Sequence, residues 1–179
     1  LLANLNQLSW FNNTSEQWVI LKPLLLEHSQ PNCHIIYLHN SDETTIKKEF
    51  DRNRFDSNTL LNNHTLELYH THDSYLINGV FIANRMFKFW QERIAAVQSK
   101  GINKIFLTGE MGWALQDKPG CENLHVYEAQ LNKLLQTLPE VTILCQYSLT
   151  EFSSEDILES VCTHPNVQVK NQLLKIIHL

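Results

Sequence analysis

Glu110 and Trp113 stand close together in the stretch Lys104 to Leu115 (K-I-F-L-T-G-E-M-G-W-A-L), directly after the apolar run Ile105-Phe106-Leu107. A carboxylate and a flat amphipathic ring emerging together at the end of a buried strand are what a small, partly apolar ligand needs. The first fixes a polar group and the second covers an apolar body. Thr108 immediately precedes them. A second apolar run, Val141 to Tyr147, also breaks into polar residues and adds Gln146 and Tyr147, while Tyr127-Glu128 adds a phenol and a carboxylate. Thr108, Glu110, Trp113, Tyr127, Glu128, Gln146 and Tyr147 are therefore the candidate ligand-binding residues. The competing reading makes Trp113 a core residue beside a helix-capping carboxylate, and Tyr127 a core aromatic on an apolar stripe.

Two further constellations could carry chemistry. His70-Thr71-His72-Asp73 sets two imidazoles on one face of an extended segment, and a metal would need a further ligand from His39 or Glu110. The alternative is a polar strand end bonding locally. Cys145 or Ser148 with His164 could be written as a nucleophile and base, but no G-x-S-x-G elbow surrounds them. A hydrolase built on the His70, His72 and Glu110 rim, or on that pair, is the enzymatic alternative. Nucleotide hydrolysis of the P-loop type is excluded, because neither G-x-x-x-x-G-K-[ST] nor G-x-G-x-x-G occurs among five glycines.

These residues need a scaffold, and the 179-residue chain supplies one domain's worth. Net charge is −5, and no basic cluster exceeds Lys47-Lys48, so nothing attracts nucleic acid or an anionic membrane. Cys33, Cys121, Cys145 and Cys162 lack C-x-x-C spacing and read as reduced thiols, which points to a cytoplasmic protein. No apolar run approaches the roughly 18 residues that span a bilayer. The start at Leu1 reads as a piece of a longer protein, or a trimmed one.

Apolar periodicity predicts strands at Leu8 to Phe11, Cys33 to Leu38, Thr65 to Tyr69, Ile105 to Leu107, Val141 to Tyr147 and Val167 to Val169. Helices are predicted from a capping box at Thr14 and Gln17 to about His28, bent at Pro23, and from a capping box at Asn40 and Glu43 to about Phe50. Others run from Ile82 toward Gly101, from Cys121 to Leu138, and from Ser153, with Asp156 three residues on, to Val161. Asp51 to Asn63 is irregular apart from a turn near Leu60, and Lys170 to Leu179 can pack or pair. Alternation of strand and helix predicts an α/β fold of three layers, a mostly parallel sheet with helices on both faces. In such a sheet His39-Asn40, His70 to Asp73, Thr108 to Trp113 and Gln146-Tyr147 gather at one rim.

Several spellings together resemble the MEDS domain, the methanogen/methylotroph DcmR sensory domain. They are Asp73-x-Tyr75-x-x-x-Gly79-x-Phe81, Thr108-Gly109-Glu110-Met111-x-Trp113, Tyr127-Glu128-x-x-Leu131-Asn132, Cys145-Gln146-Tyr147 with Phe152, and Thr163-His164-Pro165. The resemblance spans about Trp10 to Val169. Leu8-Ser9-Trp10-Phe11 departs from it, standing where similar proteins carry a histidine in the first strand. The resemblance implies a RecA/KaiC-like fold lacking the Walker A loop, and a non-catalytic sensory domain of a signalling or transcriptional regulator. It implies no cofactor, a small organic effector, and output through a histidine-kinase, PAS or DNA-binding module or a homodimer. A protein-interaction scaffold with a collapsed nucleotide site is a further alternative. On the sensory reading, replacing Trp113 with Ala is expected to abolish binding and leave the fold intact.

Overall fold

The computed structural model describes residues 6–169 and 172–175. Strand β1 (Asn6–Phe11) leads through Asn12 and Asn13 into helix α1 (Thr14–His28), and β2 (Cys33–His39) into α2 (Glu43–Arg52) and α3 (Ser57–Asn62). After β3 (Leu66–His70) come the single-turn α4 (Thr71–Ser74) and the long α5 (Ala83–Gln98). Strand β4 (Lys104–Glu110) runs into short 3-10 segments at Met111–Leu115 and Cys121–Asn123. Then follow α6 (Leu124–Leu135), β5 (Val141–Ser148), α7 (Ser154–Thr163), β6 (Asn166–Val169) and β7 (Gln172–Lys175).

The strands form one sheet in the order β3-β2-β4-β5-β1-β6-β7, with every pairing parallel except β6 with β7. Strand β2 is buried at all its positions, as expected of a strand covered on both faces. Trp18, Leu21 and Leu25 of α1 join Ile46 and Phe50 of α2 and Tyr37, Phe106 and Leu144 of the sheet on one face. Met86, Trp90 and Ile94 of α5 and Tyr127, Leu131 and Leu135 of α6 cover Leu107, Ile143 and Cys145 on the other. The three-layer α/β architecture read from the sequence is the one observed.

Local differences have physical causes. Helix α1 is capped by Asn13 rather than Thr14: the Asn13 side chain accepts from the Glu16 N–H, and the Glu16 carboxylate accepts from the Asn12 N–H at 3.0 Å. Helix α2 is capped by Asp42 rather than Asn40, which leaves Asn40 free for the rim. The irregular tract contains α3, capped by Asp56. Strand β4 does not break at Thr108-Gly109 but pairs with β5 through Glu110↔Gln146. At Gly109 a Cβ would come 2.6 Å from the Tyr75 hydroxyl, so a side chain here would require the buried Tyr75 ring to shift. Residues 170, 171 and 176–179 of the apolar tail lie outside the described residues, while 172–175 pair antiparallel with β6.

Candidate functional site

The parallel strands end together, and the rim holds a cleft of about 390 Å³ between the amino-terminal ends of α1 and α2 and the ends of β4 and β5. Its floor is a chain of hydrogen bonds. Tyr37 donates its hydroxyl to Glu110 Oε1 at 2.9 Å, Gln17 donates to the same oxygen at 3.4 Å, and the Asn40 N–H donates to Glu110 Oε2 at 2.8 Å. Gln17 also donates to Gln146 Oε1 at 2.9 Å, and Gln146 donates to Thr108 Oγ1 at 2.7 Å. Thr108 in turn donates to the Leu144 carbonyl at 2.9 Å. Strand pleating explains the set: Thr108 and Glu110 of β4 and Gln146 of β5 alternate onto the face that α1 covers.

Glu110 is the electrostatic centre of this floor. Burial raises its pKa above the usual carboxylate value, the nearby Glu151 adds to the rise, and the donors from Asn40, Tyr37 and Gln17 offset part of it. Burial, with the Glu110 charge beside it, pushes the Tyr37 phenol well up, so it stays a donor. Glu49, Glu110 and Glu151 line the cleft with Asn12, Asn13, Asn40 and Ser148, and no Lys or Arg is among the described lining residues. The site therefore carries a negative field and a dense set of neutral donors and acceptors.

Trp113 is elsewhere. The 3-10 turn after Glu110 folds it onto the opposite face, where it is fully buried and stacked on Tyr75 at 4.5 Å between ring centroids, with Phe81 at 4.6 Å. Tyr127, Glu128 and Tyr147 are also on that face. Trp90 donates its indole N–H to the Tyr127 hydroxyl at 2.6 Å, and Tyr147 donates its hydroxyl to Glu128 Oε1 at 2.6 Å. The structure thus brings Thr108, Glu110 and Gln146 together and sets Trp113, Tyr127, Glu128 and Tyr147 behind the sheet. The expectation that Trp113→Ala spares the fold does not suit a side chain with no exposed surface.

Glu128 is itself fully buried. Burial pushes its carboxyl up, but His164, His125 and Tyr147 outweigh that and hold it below the usual range. The same carboxylate raises the His125 imidazole, while burial and Glu128 push the Cys145 thiol well up. A buried protonated thiol is a poor nucleophile. Ser148 bonds Thr150, and His164 bonds Ser160 and Thr163. His70 ends β3 as the cap of α4: its Nδ1 accepts from the His72 N–H, and its Nε2–H donates to the Asn40 carbonyl. The segment turns helical there rather than staying extended, so both His70 nitrogens are engaged.

Gln17 and Tyr37 were missed from sequence, and Asn40 was placed at the rim without being named as a ligand-binding residue. Gln17 sits among apolar neighbours on the buried side of α1, and Tyr37 is the one hydroxyl in an otherwise apolar stretch, Ile35 to Leu38. A polar atom inside such a pattern was the available signal.

The comparisons with known proteins can be set against this geometry. Residues 8–165 match the family described as the MEthanogen/methylotroph, DcmR Sensory domain (MEDS). The transcriptional repressor DcmR of Methylorubrum extorquens is 31% identical over 74 residues, which is 41% of this chain and 28% of that protein, so the match spans little more than a quarter of the curated relative. Among solved structures, a KaiC-like protein of Pyrococcus horikoshii OT3 superposes with a TM-score of 0.63 at 11% identity, covering 94% of this chain and 74% of that one. A second Pyrococcus horikoshii protein, solved with an unknown peptide, gives 0.70 at 12% identity over 93% and 77%. These likenesses establish a KaiC-like fold.

Proposed function

The chain belongs to the MEDS family, and on that premise we propose that it is a non-catalytic sensory domain whose rim cleft takes a small uncharged or cationic organic molecule. The observation that carries the ligand class is the lining: three glutamates face the cleft, and no Lys or Arg is among the described lining residues. Phosphates would meet repulsion there. The β1–α1 connection is only Asn12 and Asn13, too short to wrap an anion in backbone N–H groups as a P-loop does. Asn12, Asn40, Gln17 and Gln146 line the cleft and offer hydrogen-bonding partners for a hydroxyl, amide or amine, and Glu110 adds the charge for a cation.

The signal is a population shift. The cleft is walled by the β2–α2 connection at Asn40-Ser41, the Met111-Gly112 turn and the Thr150-Glu151 loop, so one molecule touching all three favours a single arrangement of otherwise separate segments. Attached modules or a second copy of the chain would read that arrangement in the cytoplasm. Native mass spectrometry of freshly purified protein, beside its denatured mass, tests this. A small organic adduct lost on denaturation and absent from Glu110→Ala is the expected result. An ATP or ADP adduct, or one retained by Glu110→Ala, would reject it.

A further inference from the structure

Behind the sheet, the carboxylate of Glu128, the thiol of Cys145 and the imidazole of His164 present ligand atoms all within 4.8 Å of one another, and all three side chains are buried. We infer that these three residues form a binding site for one divalent transition-metal ion of the zinc type. The site is separate from the rim cleft and does not depend on the sensory reading.

The orientation of His164 argues for it. His164 Nδ1 lies 2.7 Å from the Ser160 carbonyl, which can only accept, so Nδ1 carries a hydrogen and the neutral ring keeps its lone pair on Nε2. That Nε2 is buried without a hydrogen-bond partner among the described residues and points at Glu128 Oε1, 3.7 Å away. His125 repeats the arrangement: its Nε2 is 2.9 Å from the Glu159 carboxylate, and its buried Nδ1, likewise unpartnered, points at Glu128 Oε2, 3.6 Å away. An imidazole fixed by an acceptor on one nitrogen, with the other left toward the ligand cluster as in His164, is how metal-ligating histidines are held. Tyr147 and Thr163 donate to the same carboxylate at 2.6 and 3.2 Å, and so steady it from behind.

Charge and dimensions agree. Ligand atoms about 2.0 to 2.3 Å from a tetrahedral ion lie roughly 3.3 to 3.8 Å apart, so the 3.7 Å between His164 Nε2 and Glu128 Oε1 already fits, and the sulfur, within 4.8 Å of the other two ligand atoms, must draw in by a short movement. On loading, the Cys145 thiol releases its proton to solvent and gives up its weak contact with Asn6 Oδ1. A 2+ ion, one thiolate and one carboxylate then sum to zero charge among three buried ligands. Mixed sulfur, nitrogen and oxygen donors favour zinc over magnesium or calcium. The partly exposed His125 side chain, beside the exposed Glu159, marks the way in. The ion would tie α6, β5 and the end of α7 at one point.

The rival explanation for the same cluster is a protonated imidazole paired with a buried carboxylate, and the test separates the two. The full chain carrying Cys162→Ser, which removes the exposed thiol, is stripped with chelator, dialysed and titrated with Co²⁺ and then Zn²⁺. The expected result is one equivalent of Co²⁺ with intense tetrahedral ligand-field bands and a thiolate-to-cobalt charge-transfer band, displaced by one equivalent of Zn²⁺. Cys145→Ser should lose the charge-transfer band, and His164→Gln should weaken binding at least about tenfold. If either variant fails to fold by circular dichroism, the parent spectrum decides. No stoichiometric Co²⁺ binding, a spectrum without the thiolate band, or unchanged affinity in a folded Cys145→Ser protein would each overturn the proposal.

Discussion

Glu110 concentrates the cost and the use of the rim site in one side chain. Burial holds its folded-state pKa above the unfolded one, so folding favours its protonated form. Its contribution to stability is therefore full below the unfolded pKa and is lost as pH rises through the folded one. Glu110→Gln, which cannot ionise, serves as the reference: the unfolding free energy of the wild type minus that of the variant should fall as pH rises from below the ordinary carboxylate pKa through the raised folded-state one. Urea titrations at several pH values check this, and a flat or rising difference would show that the three donors to the carboxylate outweigh its burial. Trp113 behaves in the opposite way. With its indole stacked on Tyr75 in the core, Trp113→Ala should cost about 3–5 kcal/mol of stability, which the same titrations would read. The sequence showed that Glu110 and Trp113 emerge together; it did not show that one 3-10 turn sends them to opposite faces of the sheet, because periodicity carries no information through an irregular turn.

The elements owe their order to local signals that were mostly legible. Continuous apolar runs marked β2, β4 and β5 as buried strands, and three- to four-residue spacing marked α5. Short pieces were not legible: α3 and α4 have 6 and 4 residues, too few to establish a helical period. Capping was read correctly in kind at α7, where Ser153 and Asp156 form a reciprocal capping box. At α1 and α2 it was displaced, because Asn13 and Asp42 compete for the same amides. Ser153→Ala should cost about 1 kcal/mol, measured by denaturant unfolding. Gly109 carries a larger prediction. Gly109→Ala forces a methyl against the Tyr75 hydroxyl and should cost about 1–3 kcal/mol. It should also disturb the strand that presents Glu110, so hydrogen exchange in the Met111–Leu115 turn should quicken; unchanged exchange would mean that Tyr75 moves aside without strain.

At the scale of the whole molecule, helices cover both faces of the parallel sheet, and the carboxyl rim is left for the loops. That rim was foreseeable from strand direction alone. Its chemistry was only half foreseeable, because Gln17 and Tyr37 reach it from α1 and β2 by long-range contacts that no local pattern records. The sheet divides the molecule into two polar centres, a cleft open to solvent and a buried cluster around Glu128. Ligand at the rim should therefore slow hydrogen exchange in the segments at Asn40-Ser41, Met111-Gly112 and Thr150-Glu151, and leave the middle of α5 unchanged.

The most direct measurement is a thermal-shift titration of wild type and Glu110→Ala, side by side, with short-chain alcohols, amides and amines and with ADP and ATP. A saturable rise in Tm with an uncharged or cationic compound, lost in Glu110→Ala and not produced by either nucleotide, is the predicted result. Stabilisation by ADP or ATP, or an equal rise in both proteins, would contradict a rim cleft built around Glu110 for non-anionic ligands.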